Sequence, residues 1–109
     1  MNAQKKENAR KMLEYVQAAW NVTPSLILMT EDYAYALWPS DEEREQWKEA
    51  SYTFADGELE VRELPAKKAL MLLIEEIAIA LPSYKSVLIA TDKEKLEEII
   101  KKLEECTKT

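Results

Sequence analysis

The chain has 109 residues, 47% of them apolar and 33% charged, with a net charge of −6. That length supports one domain, residues 1–109, whose core needs no metal or disulfide staple, and the composition excludes wholesale disorder. The absence of histidine and the presence of a single glycine, Gly57, remove imidazole catalysis, imidazole metal ligands and glycine-rich phosphate loops.

Ala3–Trp20 reads as a helix, because Ala9, Met12, Leu13, Val16 and Trp20 recur at helical spacing and Pro24 ends the pattern. Ser25–Thr30 and Tyr33–Trp38 read as two strands joined at Glu31-Asp32. A two-residue turn there pairs Leu28 with Tyr35 and Leu26 with Leu37 on one face, and Met29 with Ala34 and Ile27 with Ala36 on the other. Both faces are apolar, so both should be covered. Ser40-Asp41-Glu42-Glu43 has the form of a capping box and predicts a helix to about Ala50, docked through Trp47. On that helix Asp41, Glu42, Glu45 and Glu49 fall within one arc of about 100° and make an acidic ridge.

Ser51–Ala55 and Glu58–Leu64 form a second hairpin about Asp56-Gly57, a favoured type I′ pair. The register places Tyr52 opposite Val61 and Phe54 opposite Leu59, with Ser51–Arg62 and Thr53–Glu60 on a wet face. Leu64-Pro65-Ala66 opens a long apolar helix that Pro82 stops. Its core face is Ala66, Ala69, Leu70, Leu73, Ile74, Ile77, Ala80 and Leu81. Leu72 and Ile79 project among the charges opposite, where a second helix, or alternatively a partner or a second copy of the chain, should cover them. Ser86–Ala90 reads as a strand buried on both faces and central in its sheet. Thr91-Asp92-Lys93-Glu94 caps a last helix carrying Leu96, Ile99, Ile100 and Leu103 as its stripe. The expected fold is α+β in the order α-β-β-α-β-β-α-β-α, with about five mostly antiparallel strands and four helices.

The charge is uneven. Residues 31–63 hold eleven acidic side chains against Arg44, Lys48 and Arg62, a balance of −8, while residues 1–30 carry +2 and residues 64–109 carry zero. Six of the nine aromatic residues lie in the same third. Like-charged neighbours at i,i+4 cost about 0.2–0.5 kcal/mol each, so this crowding suggests a surface that binds basic partners. The expected function is a non-enzymatic protein-binding module, an inhibitor in the manner of virus-encoded anti-defence, immunity and antitoxin proteins. The expected contacts are Glu31, Asp32, Asp41, Glu42, Glu45 and Glu49.

Two other readings stand beside it. One is a small-molecule pocket or weak enzyme lined by Tyr33, Tyr35, Trp38 and Tyr52. The other is a structural subunit that self-associates as a homodimer through Leu72 and Ile79. No catalytic residue, cofactor or metal site is expected: Cys106 lacks an activating base, and helix-borne carboxylates make a poor calcium cage. Lys5, Lys6, Arg10 and Lys11 are too few to imply direct nucleic-acid binding. The charged N-terminus has no apolar signal region, the run Ala69–Ile74 is too short to span a membrane, and the lone cysteine can form no internal disulfide, so a cytoplasmic protein with no membrane contact is expected.

Overall fold

The computed structural model describes residues 2–108. Helix α1 (Asn2–Trp20) leads into four strands, β1 (Leu26–Thr30), β2 (Tyr33–Pro39), β3 (Gln46–Thr53) and β4 (Leu59–Pro65). Helix α2 (Ala66–Ser83), strand β5 (Val87–Ile89) and helix α3 (Lys93–Cys106) complete the chain. The strands form one antiparallel sheet in the order β4-β3-β2-β1-β5, a four-stranded meander with β5 added beside β1. Among the described residues the fold is α+β, with three helices on five strands. Its radius of gyration, 13.2 Å, is that expected of one compact domain of this length, roughly 13 Å.

Helices α1 and α3 pack side by side on one face of the sheet. Ala9, Met12, Val16 and Ala19 of α1 and Leu96, Ile99 and Leu103 of α3 are buried there, against Ile27, Ala34, Ala36, Trp38, Ala50 and Tyr52. The alanines leave room for the helices to approach, and Trp38 and Tyr52 fill the margins. Helix α2 lies alone on the other face, over Leu26, Leu28, Tyr35, Leu37, Trp47 and Leu64. The first hairpin has the register read from the sequence, with Leu28 opposite Tyr35 and Ile27 opposite Ala36. Thr30 Oγ1 closes its turn by accepting from the N–H groups of Asp32 and Tyr33, at 3.1 and 3.2 Å.

The helix expected over residues 41–50 is absent. Residues 40–45 form a tight loop and β3 begins at Gln46. Ser40 donates through both N–H and Oγ to the Gln46 carbonyl, Asp41 Oδ1 accepts from the N–H groups of Glu45 and Gln46, and Arg44 takes a left-handed conformation with φ 60°. The capping signals are real local chemistry that serves a loop. What decides the segment is burial: as a strand it places Trp47 in one core and Ala50 and Tyr52 in the other, whereas a helix could bury only one of those sets.

The second hairpin also differs from expectation, by two residues in register. Tyr52 lies opposite Leu59, Ala50 opposite Val61 and Glu49 opposite Arg62. The turn is a longer loop, closed by Thr53 N–H to the Glu58 carbonyl at 3.0 Å and Gly57 N–H to the Thr53 carbonyl at 2.8 Å. Gly57 has φ +69°, and a Cβ there would lie 2.0 Å from Lys5 Cγ, so glycine is needed both for the conformation and for the approach of α1. Lys5 Nζ and Asn8 Nδ2 donate to the carbonyls of Ala55 and Gly57, clamping the loop to α1. An even shift keeps each side chain on its face, so Ser51 and Arg62 stay on the wet side as read.

Two expectations about the C-terminal half need correction. Strand β5 is a half-buried edge strand of three residues, not a central one. Helix α2 runs through Pro82 to Ser83 and does not bury its widest apolar face: only Ala69 and Ala80 are fully buried. Leu70, Met71, Ile74, Ile79 and Leu81 are 49%, 57%, 74%, 58% and 56% exposed. Among the described residues no second helix covers Leu72 and Ile79; Leu72 packs partly against the sheet-side core and Ile79 faces outward. At the other end of the chain the cap of α3 is Asp92, whose side chain accepts from Lys95 N–H at 3.0 Å.

Candidate functional site

Because α2 is one helix on a sheet face that two helices cover on the opposite side, part of that face is left open. The opening is a cleft of about 920 Å³ between α2 and strands β2, β3 and β4. The alternation of β2 points Tyr33 and Tyr35 into it, and β3 adds Glu49, Ser51 and Thr53. Strand β4 contributes Glu60 and Arg62, the α2 side gives Glu76 and Tyr84, and Asp32 sits at the rim.

The floor of the cleft is a polar network set into the sheet. Glu49, only 9% exposed, accepts from Tyr35 Oη at 2.5 Å on one carboxylate oxygen and from Arg62 Nε on the other. This network explains the observed register, since Arg62 pairs with Glu49 only where the two strands bring them opposite each other. Burial and the bond to Glu49 push the Tyr35 hydroxyl far above its ordinary range, and the Glu49 bond holds the Arg62 guanidinium protonated.

Above this floor the groups are less settled. The Glu76 carboxyl is pushed up by burial and then by the neighbouring Glu49 charge, with Arg62 acting in the opposite sense. Tyr33 is pushed up to about 12 by burial, with Glu76 and Tyr84 contributing. Tyr33 and Tyr84 meet edge to face, their ring centroids 5.5 Å apart. The cleft therefore holds four carboxylates, Asp32, Glu49, Glu60 and Glu76, and one guanidinium. Arg62 is engaged by Glu49, and among the described residues Asp32, Glu60 and Glu76 take part in no ion pair.

The residues expected to form one acidic surface are separated. Asp41, Glu42 and Glu45 lie in the β2–β3 loop, Glu31 and Asp32 at the opposite end of β2, about 20 Å away at strand rise. Glu49 is buried in the sheet between them. The helical ridge does not exist, because its helix does not. Glu31 is fixed locally: its carboxylate accepts from the N–H groups of Lys85 and Ser86, and a bond from its own backbone N–H, followed by these two, holds it below its usual range. The four aromatics of the expected pocket are also divided by the sheet. Tyr33 and Tyr35 line the cleft, while Trp38 and Tyr52 are buried under α1 and α3, with Tyr15 against Trp38 at 5.5 Å.

Of the site residues, Asp32 and Glu49 were anticipated as contacts and Tyr33 and Tyr35 as pocket walls. Glu60 and Arg62 were placed on the wet face without a role, and Glu76 and Tyr84 were missed. Glu76 is the one charged position on the flank of α2 that turns toward the sheet at 100° per residue, but that flank is known only from the seating of the helix. Among the described residues no cluster of three or more acidic or cysteine side chains is arranged to hold a metal, and no helix is long and apolar enough to cross a membrane. No protein-family model matches the chain, and neither a curated protein nor a solved structure is similar to it.

Proposed function

We propose that this protein is a non-enzymatic protein-binding module that seats a cationic segment of a basic partner in the cleft between α2 and strands β2–β4, and inhibits the partner by covering that segment. The observation that carries this reading is the make-up of the cleft: tyrosine rings beside carboxylates, with the Arg62 guanidinium already engaged by Glu49. An arginine or lysine side chain entering there gains a tyrosine face and charge-assisted hydrogen bonds together. Sites for neutral small molecules are mainly apolar with a few polar groups; this one has the reverse balance, which favours a charged peptide. The same negative sign disfavours phosphate and so direct contact with nucleic acid. Asp41, Glu42 and Glu45 contribute at a distance, to the field that attracts a basic surface.

The test is a titration with a decapeptide of alternating arginine and glycine, followed by tyrosine and tryptophan fluorescence. The wild-type chain should bind it, more weakly as salt rises, and the double variant D32K/E60K should lose binding. The far-end variant E42K/E45K should bind with a reduced association rate and a bound complex of near wild-type lifetime. Equal affinity of D32K/E60K and wild type would overturn the reading.

A further inference from the structure

Helix α2 carries a second feature, on the side away from the cleft floor. Lys68 and Glu75 are seven residues apart, two turns of helix, and so lie within about 20° of each other around its axis. Between and beside them sit Met71 and Leu72, with Ile79 one turn beyond Glu75 on the same outward face. Met71 and Ile79 are more than half exposed. Together with Pro65 and Lys67, the residues Lys68, Met71, Leu72 and Glu75 line a shallow, almost wholly apolar depression of about 440 Å³. Apolar surface of this kind on a soluble domain marks a contact, and its charges show with what.

We propose that this face of α2 is where two copies of the chain meet, antiparallel, about a two-fold axis passing between Met71 and Leu72. An isologous contact must be complementary to itself. The axis between Met71 and Leu72 satisfies that condition: it sets Lys68 of each copy against Glu75 of the other and Met71 against Leu72. Ala78 and Ile79 of each copy then lie beside Pro65 of the other, which forms the end of the same depression. A basic partner would meet Lys67 and Lys68 here, and an acidic one Glu75; a second copy presents both signs in reversed order. The strip Leu70, Ile74 and Leu81 lies on the other flank of the helix and is not part of this contact. The cleft reading neither requires the pairing nor depends on it.

Sedimentation velocity on the full chain, from low micromolar to submillimolar concentration, tests the pairing. The wild type should reach a dimer. Lys68→Glu and Glu75→Lys should each weaken it by about tenfold or more, since each brings like charges together twice, and the double variant K68E/E75K should recover it. Met71→Glu should abolish it. These side chains are exposed, so circular dichroism should show an unchanged fold. A wild type that stays monomeric throughout, or a double variant no better than the singles, would overturn the proposal. So would loss of the dimer in Ile74→Glu with retention in Met71→Glu, which would move the contact to the other flank.

Discussion

Glu49 shows how one side chain ties the register of the sheet to the floor of the cleft. It is nearly buried and acceptor-only, and its two oxygens are taken by Tyr35 Oη and Arg62 Nε. Glu49→Ala would leave a buried phenol without an acceptor and a guanidinium without its partner, at a cost of about 1–3 kcal/mol. In urea unfolding the midpoint should fall with the slope unchanged, and Glu49→Gln, which keeps an acceptor, should lose less. Glu76 acts in the opposite direction. Its carboxyl titrates above its ordinary value of 4.5, so the folded state binds its proton more tightly than the unfolded chain does. Stability from this group is therefore greatest at acid pH and falls as pH rises from about 4.5 through the raised value. Glu76→Gln should raise the melting temperature at neutral pH and give no gain below that window, as thermal melts across pH would show. A carboxylate that weakens the fold while lining the cleft is what a binding role predicts, and the same variant should bind the arginine peptide less well.

At the scale of elements, what was legible in the sequence is what local pattern and burial decide together. Both faces of the first hairpin are apolar, the two-residue turn at Glu31-Asp32 sets its register, and the structure has that register. Helices α1 and α3 follow from single stripes with clear ends. The segment 41–50 was not legible, because Ser40, Asp41 and Glu43 supply helix-start chemistry while the need to bury Trp47 and Tyr52 on opposite faces can be known only once the sheet exists. The second hairpin shows a similar limit: Asp56-Gly57 suggested a two-residue turn, but α1 holds the loop, through Lys5 at the Ala55 carbonyl and Asn8 at the Gly57 carbonyl, and the loop is longer. For α2, periodicity found the apolar residues and could not say which flank the sheet would take. With only Ala69 and Ala80 fully buried, much of the helix remains as surface. The cleft itself depends on that seating, which is why Glu76 and Tyr84 did not stand out in the sequence.

Across the whole molecule, two layers of helices are unequal. Helices α1 and α3 together close one side of the sheet, and α2 leaves a tyrosine-walled, carboxylate-lined opening on the other. The excess negative charge of the middle third is spread to both ends of the sheet, and in the proposed binding mode its part is long-range attraction, with contact in the cleft. The most direct test is an amide and side-chain chemical-shift map of the labelled protein during titration with the arginine–glycine decapeptide. The account predicts shifts concentrated at Asp32, Tyr33, Glu60, Arg62, Glu76 and Tyr84, and absent from α1 and α3. Shifts confined to the β2–β3 loop around Asp41–Glu45, or no shifts at all at low salt, would contradict it.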